Sequence, residues 1–285
     1  MKFVNADIDR RDWSTLGPDG FRREYLLPMR PVVVSGAIDH WGATGKWTPG
    51  FFRDHYRTRS VTVDGKEWPL GELIDRIEAS SAQNPAPYLR NELLSNWPEA
   101  LRADITPMPE CTQPNWLESR AFPSRHPPTF VELYIGGGGA KFPILHYDNL
   151  HTHAFLMQLY GEKEYLALAP EQAPYLYPRT GVETNKSNIS DVENPDYDRF
   201  PLFREASGIR FKLCPGETLF VPAGWWHTAR ILTTSITVSI NGVNAPNWRA
   251  FVRDYCADVA SYSRIKAALL LPYMIGLGDV LDLFP

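Results

Sequence analysis

The chain has 285 residues, 44% of them hydrophobic, so it can bury a sizeable core as one large β-rich domain or as a domain with an appendage. Its net charge of −4 and pI near 6.0 supply no electrostatic footprint for nucleic acid. Three cysteines, Cys111, Cys214 and Cys256, are odd in number and far apart, which argues against a disulfide framework or a zinc knuckle and for a reducing, cytoplasmic compartment.

Met1 to Arg10 hold no apolar stretch of signal-peptide length. Residues 1–60 alternate between helical and short extended pieces, with Pro31-Val32-Val33-Val34 as the clearest early strand. Residues 66–125 read as irregular and partly helical; Leu70, Leu73, Ile74 and Ile77 fall at helical spacing and predict a short amphipathic helix on a sheet. From Phe130 to Ile240 the pattern is β, with strands expected at Phe130–Ile135, from His146, at Ala154–Tyr160, Glu164–Leu168, Arg210–Leu213, Thr218–Val221 and Ser235–Ile240. Such short strands, with turns supplied by 25 prolines and 20 glycines, predict a mainly β double-sheet jelly roll. Gly136 to Gly139 form a turn and not a phosphate loop, because no Lys-Ser/Thr and no helix follow. The stretch Glu171 to Ser207, with Tyr175, Tyr177, Asn188 and Asp196, is too long for a simple turn and is a candidate lid.

After Asn244 the pattern turns helical: Trp248, Phe251, Val252, Tyr255, Cys256 and Val259 recur at three- and four-residue steps, and a second apolar segment runs from Ile265 to Phe284. The longest apolar tract, Ala267 to Gly278, contains Pro272 and falls short of the roughly 20 residues a bilayer requires, so no membrane span is expected. The expected organisation is a barrel domain over residues 1–245, with N-terminal helical and extended elements, and C-terminal helices over 246–285. These helices pack on their own barrel or form a two-fold dimer interface.

The chemistry sits in two segments. In His146-Tyr147-Asp148, residues two apart on a strand project to one face, so the imidazole and the carboxylate can grip one ion. Downstream, the turn Pro215-Gly216-Glu217, a short strand to Pro222 and the turn Ala223-Gly224 deliver Trp225, Trp226 and His227. Two imidazoles and a carboxylate make the facial triad that leaves open positions on a non-haem Fe(II). An HxD pair alone more often marks a surface hydrogen bond; the punctuated approach to His227 is what raises it. Tyr147 should point away and pack, and Trp225 and Trp226 should wall the cavity or fill the core. His151 and His153, beyond an intervening turn, are either substrate contacts at the mouth or ordinary surface or hydrogen-bonded histidines. His40, His55 and His126 have no ligand spacing. By spacing alone Lys163, beside the Gly161-Glu162 turn, reads as a solvated charge, although alternation puts it with Tyr165, Ala167 and Ala169. Alternation also puts Ser235, Thr237, Ser239 and Asn241 on one strand face, lying either in water or around a site.

Three stretches, HYDNLHTHAFLMQLYGEKEYLALAP from His146, NPDYDRFPLF from Asn194 and PGETLFVPAGWWHTARILTTSITVSIN from Pro215, resemble the JmjC-type cupin oxygenases. The branch includes the asparaginyl hydroxylase inhibiting hypoxia-inducible factor and the Jumonji-type lysyl hydroxylases. Looser similarity in Pro31 to Trp47 and Pro87 to Arg90 extends the likeness over most of residues 30–245. The resemblance implies a double-stranded β-helix holding Fe(II) through His146, Asp148 and His227, with 2-oxoglutarate and O2 as cosubstrates. Lys163, seventeen positions after His146, matches the lysine that binds the remote carboxylate of 2-oxoglutarate. Tyr88 resembles the tyrosine reaching that carboxylate, Ser239 a hydroxyl residue touching the cosubstrate, and Asn241 an asparagine near the metal. Pro143 stands where relatives often carry threonine, and Leu156 where they place asparagine, so cosubstrate contacts differ in detail.

The activity so implied is hydroxylation of a protein, peptide or amino-acid side chain, with a homodimer through the C-terminal helices. A tRNA substrate stays open, though the acidic charge disfavours it. The alternatives are a redox-silent metal cupin, an isomerase or lyase on Zn or Mn with no use for Lys163, and a non-catalytic JmjC binding module.

Overall fold

A computed structural model describes residues 2–3, 7–123 and 131–283; His126, Phe130 and Phe284, named above, lie outside them. The strands are β1 (Lys2–Phe3), β2 (Arg10–Asp12), β3 (Val32–Ser35), β4 (Ser60–Val63), β5 (Lys66–Pro69), β6 (Leu89–Leu93), β7 (Val131–Gly136), β8 (His153–Tyr160), β9 (Lys163–Leu168), β10 (Ser207–Leu213), β11 (Glu217–Val221), β12 (Trp226–Ile231) and β13 (Ser235–Gly242). The α-helices are α1 (Trp13–Phe21), α2 (Pro49–Tyr56), α3 (Leu70–Glu78), α4 (Glu99–Ala103), α5 (Ala245–Tyr262) and α6 (Arg264–Leu281).

A seven-stranded sheet in the order β2-β3-β11-β8-β13-β7-β6 faces a four-stranded sheet, β1-β10-β9-β12, and β4-β5 form a separate hairpin. This is the jelly roll expected from the sequence. The larger sheet is buried on both faces. Phe155, Met157, Leu159, Val238 and Ile240 point outward into a core shared with helices α1 to α3, including Leu70, Leu73, Ile74 and Ile77 of the predicted amphipathic helix. The alternate residues turn inward, where Ala154, Leu219 and Val221 meet Tyr165, Ala167 and Phe211 of the smaller sheet.

The polar face of β13 lies inside. Ser235, Thr237 and Ser239 are buried, and Gln158 on β8 bridges the first two, donating to Ser235 Oγ at 2.8 Å and accepting from Thr237 Oγ1 at 2.7 Å. A buried polar surface so paired carries little desolvation penalty.

Two expectations are corrected. His146 does not open a strand: it makes isolated bridges to His227 and Lys186, and the strand proper begins at His153. His227 does lie on a strand distant in sequence, β12, which pairs along its length with β9. The region 66–125, read as irregular and partly helical, contributes β5 and β6 as well as α3 and α4.

Helices α5 and α6 form their own core with Trp116, Leu117 and Phe122, and Asn244 and Asn247 cap α5 reciprocally. The outer side of α6 exposes Ile265, Leu269, Tyr273, Ile275 and Val280. Among the described residues, no helix is long and apolar enough to cross a membrane.

Candidate metal centre

His146 and His227 are joined through their backbones before their side chains are considered. The His146 N–H donates to the His227 carbonyl at 3.1 Å and the His227 N–H to the His146 carbonyl at 2.6 Å, a local antiparallel bridge that sets the ring centroids 4.5 Å apart. Asn185, from the segment between β9 and β10, clamps the other side: its Nδ2 donates to the Tyr147 carbonyl and to Asn149 Oδ1, both at 2.8 Å. Tyr147 points away from the ligands and packs edge-on against Trp226. The extended backbone thus brings His146 and Asp148 to one side, as their spacing predicts, without a continuous strand.

One ligand atom from each of His146, Asp148 and His227 lies within 4.8 Å of the others, with His146 Nε2 3.8 Å from Asp148 Oδ1. His146 Nδ1 lies 3.2 Å from the Ile144 carbonyl and His227 Nδ1 3.0 Å from the Trp225 carbonyl. A carbonyl only accepts, so each Nδ1 carries the proton and each Nε2 offers its lone pair. Burial, aided by His227, pushes the His146 imidazole down to about 3, which keeps it neutral and ready to ligate. Burial raises the Asp148 carboxyl, a destabilised anion that a divalent cation at this point would stabilise. The donor set and its open side fit Fe(II).

Past Asp148 the chain turns sharply, with Leu150 at φ 57° and His151 at φ 50°, consecutive left-handed residues of the kind held only where surroundings enforce them. The restraint comes from α5: Asn247 Nδ2 donates to the His151 carbonyl at 2.9 Å, and Asp254 holds His151 Nδ1 at 2.5 Å. His153 is fully buried, accepting from the Ala223 N–H at 3.0 Å and donating to Asn244 Oδ1 at 3.1 Å. The hydrogen-bonded reading of His153 therefore holds, and it staples the turn before His227 to the cap of α5.

Deeper in the barrel, Lys163 is 2% exposed, not the solvated charge its hairpin position suggests. It faces inward with Tyr165 and Ala167, donates from Nζ to Tyr88 Oη at 2.9 Å and lies 5.4 and 5.6 Å from the ring centres of Tyr88 and Tyr134. Among the described residues no carboxylate pairs with it, and burial brings its pKa down to about 7. A buried ammonium without a counter-ion suits an anionic ligand. Ser239 lies on the facing interior wall, in the larger sheet beside Leu156 and Glu132, while the Asn241 amide donates to Thr152 Oγ1 at 3.0 Å. Leu156 packs apolar against the inner core. Tyr177, Asn188 and Asp196 are engaged within the Glu171–Ser207 segment, whose apolar residues pack against Leu166, Leu168 and Trp226.

Sequence reasoning missed Glu132, Tyr134 and Asn91, which join this wall. Tyr134 Oη donates to Glu132 Oε2 at 2.7 Å, and Asn91 Nδ2 reaches both, at 3.1 Å to Glu132 and 2.8 Å to Tyr134. The signal was a charged residue alternating with Leu133 and Ile135 in an otherwise apolar strand; Asn91, on a bulge of β6, left none.

The sequence profile of a cupin-like domain matches residues 18–242. The chain is 31% identical over 230 residues to lysine-specific demethylase 8 of Xenopus tropicalis, covering 77% of this chain and 49% of that protein. It is 30% identical over 240 residues to lysine-specific demethylase JMJ30 of Arabidopsis thaliana, covering 79% and 53%. To tRNA wybutosine-synthesizing protein 5 of Gallus gallus it is 35% identical over 252 residues, covering 78% and 74%. The chain spans about half the length of the two demethylases. With its jelly roll, its His-Asp-His cluster and these likenesses, the chain belongs to the cupin-like family, in the JmjC-type branch.

Proposed function

We propose that the protein is an Fe(II)- and 2-oxoglutarate-dependent oxygenase that hydroxylates a side chain of a protein, peptide or free amino acid. The observation that carries this is the pairing of two features in one interior: a three-ligand cluster at its open end and an uncompensated buried lysine below it. A redox-silent cupin has no use for the second.

Fe(II), 2-oxoglutarate and O2 together supply an oxidant able to break an unactivated C–H bond. The chain's residues place and protect that chemistry. His146, Asp148 and His227 would hold the metal as a three-residue ligand set of the kind that suits Fe(II). Lys163 anchors the remote carboxylate of 2-oxoglutarate, with Tyr88 holding the ammonium and Ser239 offering a hydroxyl from the opposite sheet. Asn241 orders the loop after Asp148 through Thr152. Phe142, stacked on His146 at 4.7 Å, shields that ligand from water.

Hydroxylation of an N-methyl group leads to demethylation by the same C–H step, so relatives named for lysine demethylation are compatible with this reading. The relative named for tRNA wybutosine synthesis leaves a modified nucleoside as the other substrate class. We further read residues 246–285 as a dimerisation element, on the apolar outer side of α6, and the compartment as the cytoplasm, in keeping with three free cysteines.

Succinate formation by anaerobically purified protein supplied with Fe(II), 2-oxoglutarate and O2 tests the core of this. Turnover that is lost in both Asp148→Ala and Lys163→Ala is expected. No turnover, with tight Zn or Mn binding and no 2-oxoglutarate binding, would replace the oxygenase by a redox-silent cupin.

A further inference from the structure

Glu132 is a carboxylate set into the wall of the cavity and left half paired. It sits on β7 opposite Ser239, and strand alternation turns it inward with Tyr134 while Leu133 and Ile135 enter the outer core. Both its donors, Tyr134 Oη and Asn91 Nδ2, address Oε2. Among the described residues Oε1 has no protein donor, and no lysine or arginine pairs with either oxygen. Among the described residues the buried side-chain polar atoms without a partner are Arg59 Nε and Thr218 Oγ1, and Oε1 is not one of them. Asn91 holds a left-handed backbone at φ 55° to put its amide on Oε2 and Tyr134 Oη. The carboxyl plane is thereby fixed with one oxygen presented.

The charge balance points the same way. A divalent metal, Asp148, Lys163 as ammonium, dianionic 2-oxoglutarate and an ionised Glu132 leave the loaded site with one uncompensated negative charge. A neutral substrate closing over it would strand that charge, whereas a monocation cancels it and meets the free lone pairs of Oε1. Burial, opposed by the Tyr134 and Asn91 hydrogen bonds and aided by the charge of Asp148, raises the Glu132 carboxyl, and a substrate cation beside it would lower it again.

We propose that Glu132 selects the prime substrate, pairing through Oε1 with a guanidinium or ammonium group so that a neighbouring C–H faces the metal. This rests on the oxygenase reading above. Neutral and acidic side chains are thereby disfavoured.

The test uses the full chain with Mn(II) and 2-oxoglutarate, titrated by calorimetry with n-butylguanidinium, n-butylammonium and the neutral isostere n-butylurea. Wild type is expected to bind at least one cation about tenfold or more tighter than butylurea, and Glu132→Gln, which keeps an acceptor for Tyr134, to bring that ratio close to one. In the wild type, Mn(II) should broaden the proton resonances of the bound cation, which places it beside the metal without any variant. A wild type that binds 2-oxoglutarate but treats cation and urea alike overturns the inference, as does a ratio retained in Glu132→Gln. If Glu132→Gln does not fold, the wild-type ratio and broadening decide. A wild type that binds no 2-oxoglutarate removes the oxygenase reading and the inference with it.

Discussion

At the scale of single residues, the consequences follow from burial. Lys163 must be charged to hold a carboxylate, and its pKa is brought down to about 7, so affinity for 2-oxoglutarate should weaken as pH rises above that value, by up to about tenfold per unit. Calorimetry between pH 6.5 and 9 checks this, and Lys163→Met should lose affinity about thirtyfold or more and flatten the profile. The stability of the ligand-free protein should move oppositely. Between about 7 and the ordinary lysine value the unfolded chain binds the extra proton, so stability rises with pH there, and Lys163→Met should lack this rise in urea melts. His153, lowered to about 4 by burial, works at the acid end. It is neutral in the fold, so the stability it confers is full above the ordinary histidine value near 6.5 and is lost as pH falls toward 4. Replacing it with Gln should lower stability at pH 7.5 and shrink the loss between pH 7 and 4.5. Residue by residue, the triad was legible because ligand chemistry restricts it to few residue types and an i, i+2 step survives without a regular strand. Lys163 was not legible from spacing, since a lysine after a glycine turn has the same local pattern whether it faces water or the interior. Only the resemblance turned it inward.

At the scale of elements, legibility tracked periodicity. Strands β8, β9, β11 and β13 and helices α3 and α5 show period-two or helical patterns over several residues, and their positions matched the reading to within a few residues. The bounds of β12, the strand that supplies His227, were not legible because Thr228, Ala229 and Arg230 show no alternation; they are fixed by pairing with β9, which is not local information. The segment Glu171–Ser207, expected as a candidate lid, packs its aromatic residues on the outer face of the smaller sheet and reaches the ligands through Asn185. Asn185→Ala should therefore leave the melting temperature little changed while weakening Mn(II) binding about tenfold, measured by competition with a chromogenic chelator. An equal loss of melting temperature and no change in affinity would make the clamp merely structural.

At the scale of the whole molecule, one sheet is sandwiched between cores while α6 keeps an apolar side outward. Exposed apolar surface of this kind on a terminal helix suits a two-fold partner. Light scattering should give twice the chain mass, and Leu269→Glu together with Ile275→Glu should give the monomer with the barrel's melting transition retained. The two histidine ligands carry a consequence for metal choice. Their separation is set by a reciprocal pair of backbone bonds and not by the ion, so the gap behaves as a fixed caliper. Calcium, which asks for six to eight oxygens at longer range, does not suit it. Among first-row divalent ions, however, a caliper of imidazoles and one carboxylate ranks copper and zinc above iron. The fold can refuse an ion by size and donor type, but it cannot prefer the ion its chemistry requires; occupancy by iron is decided by what the surroundings supply.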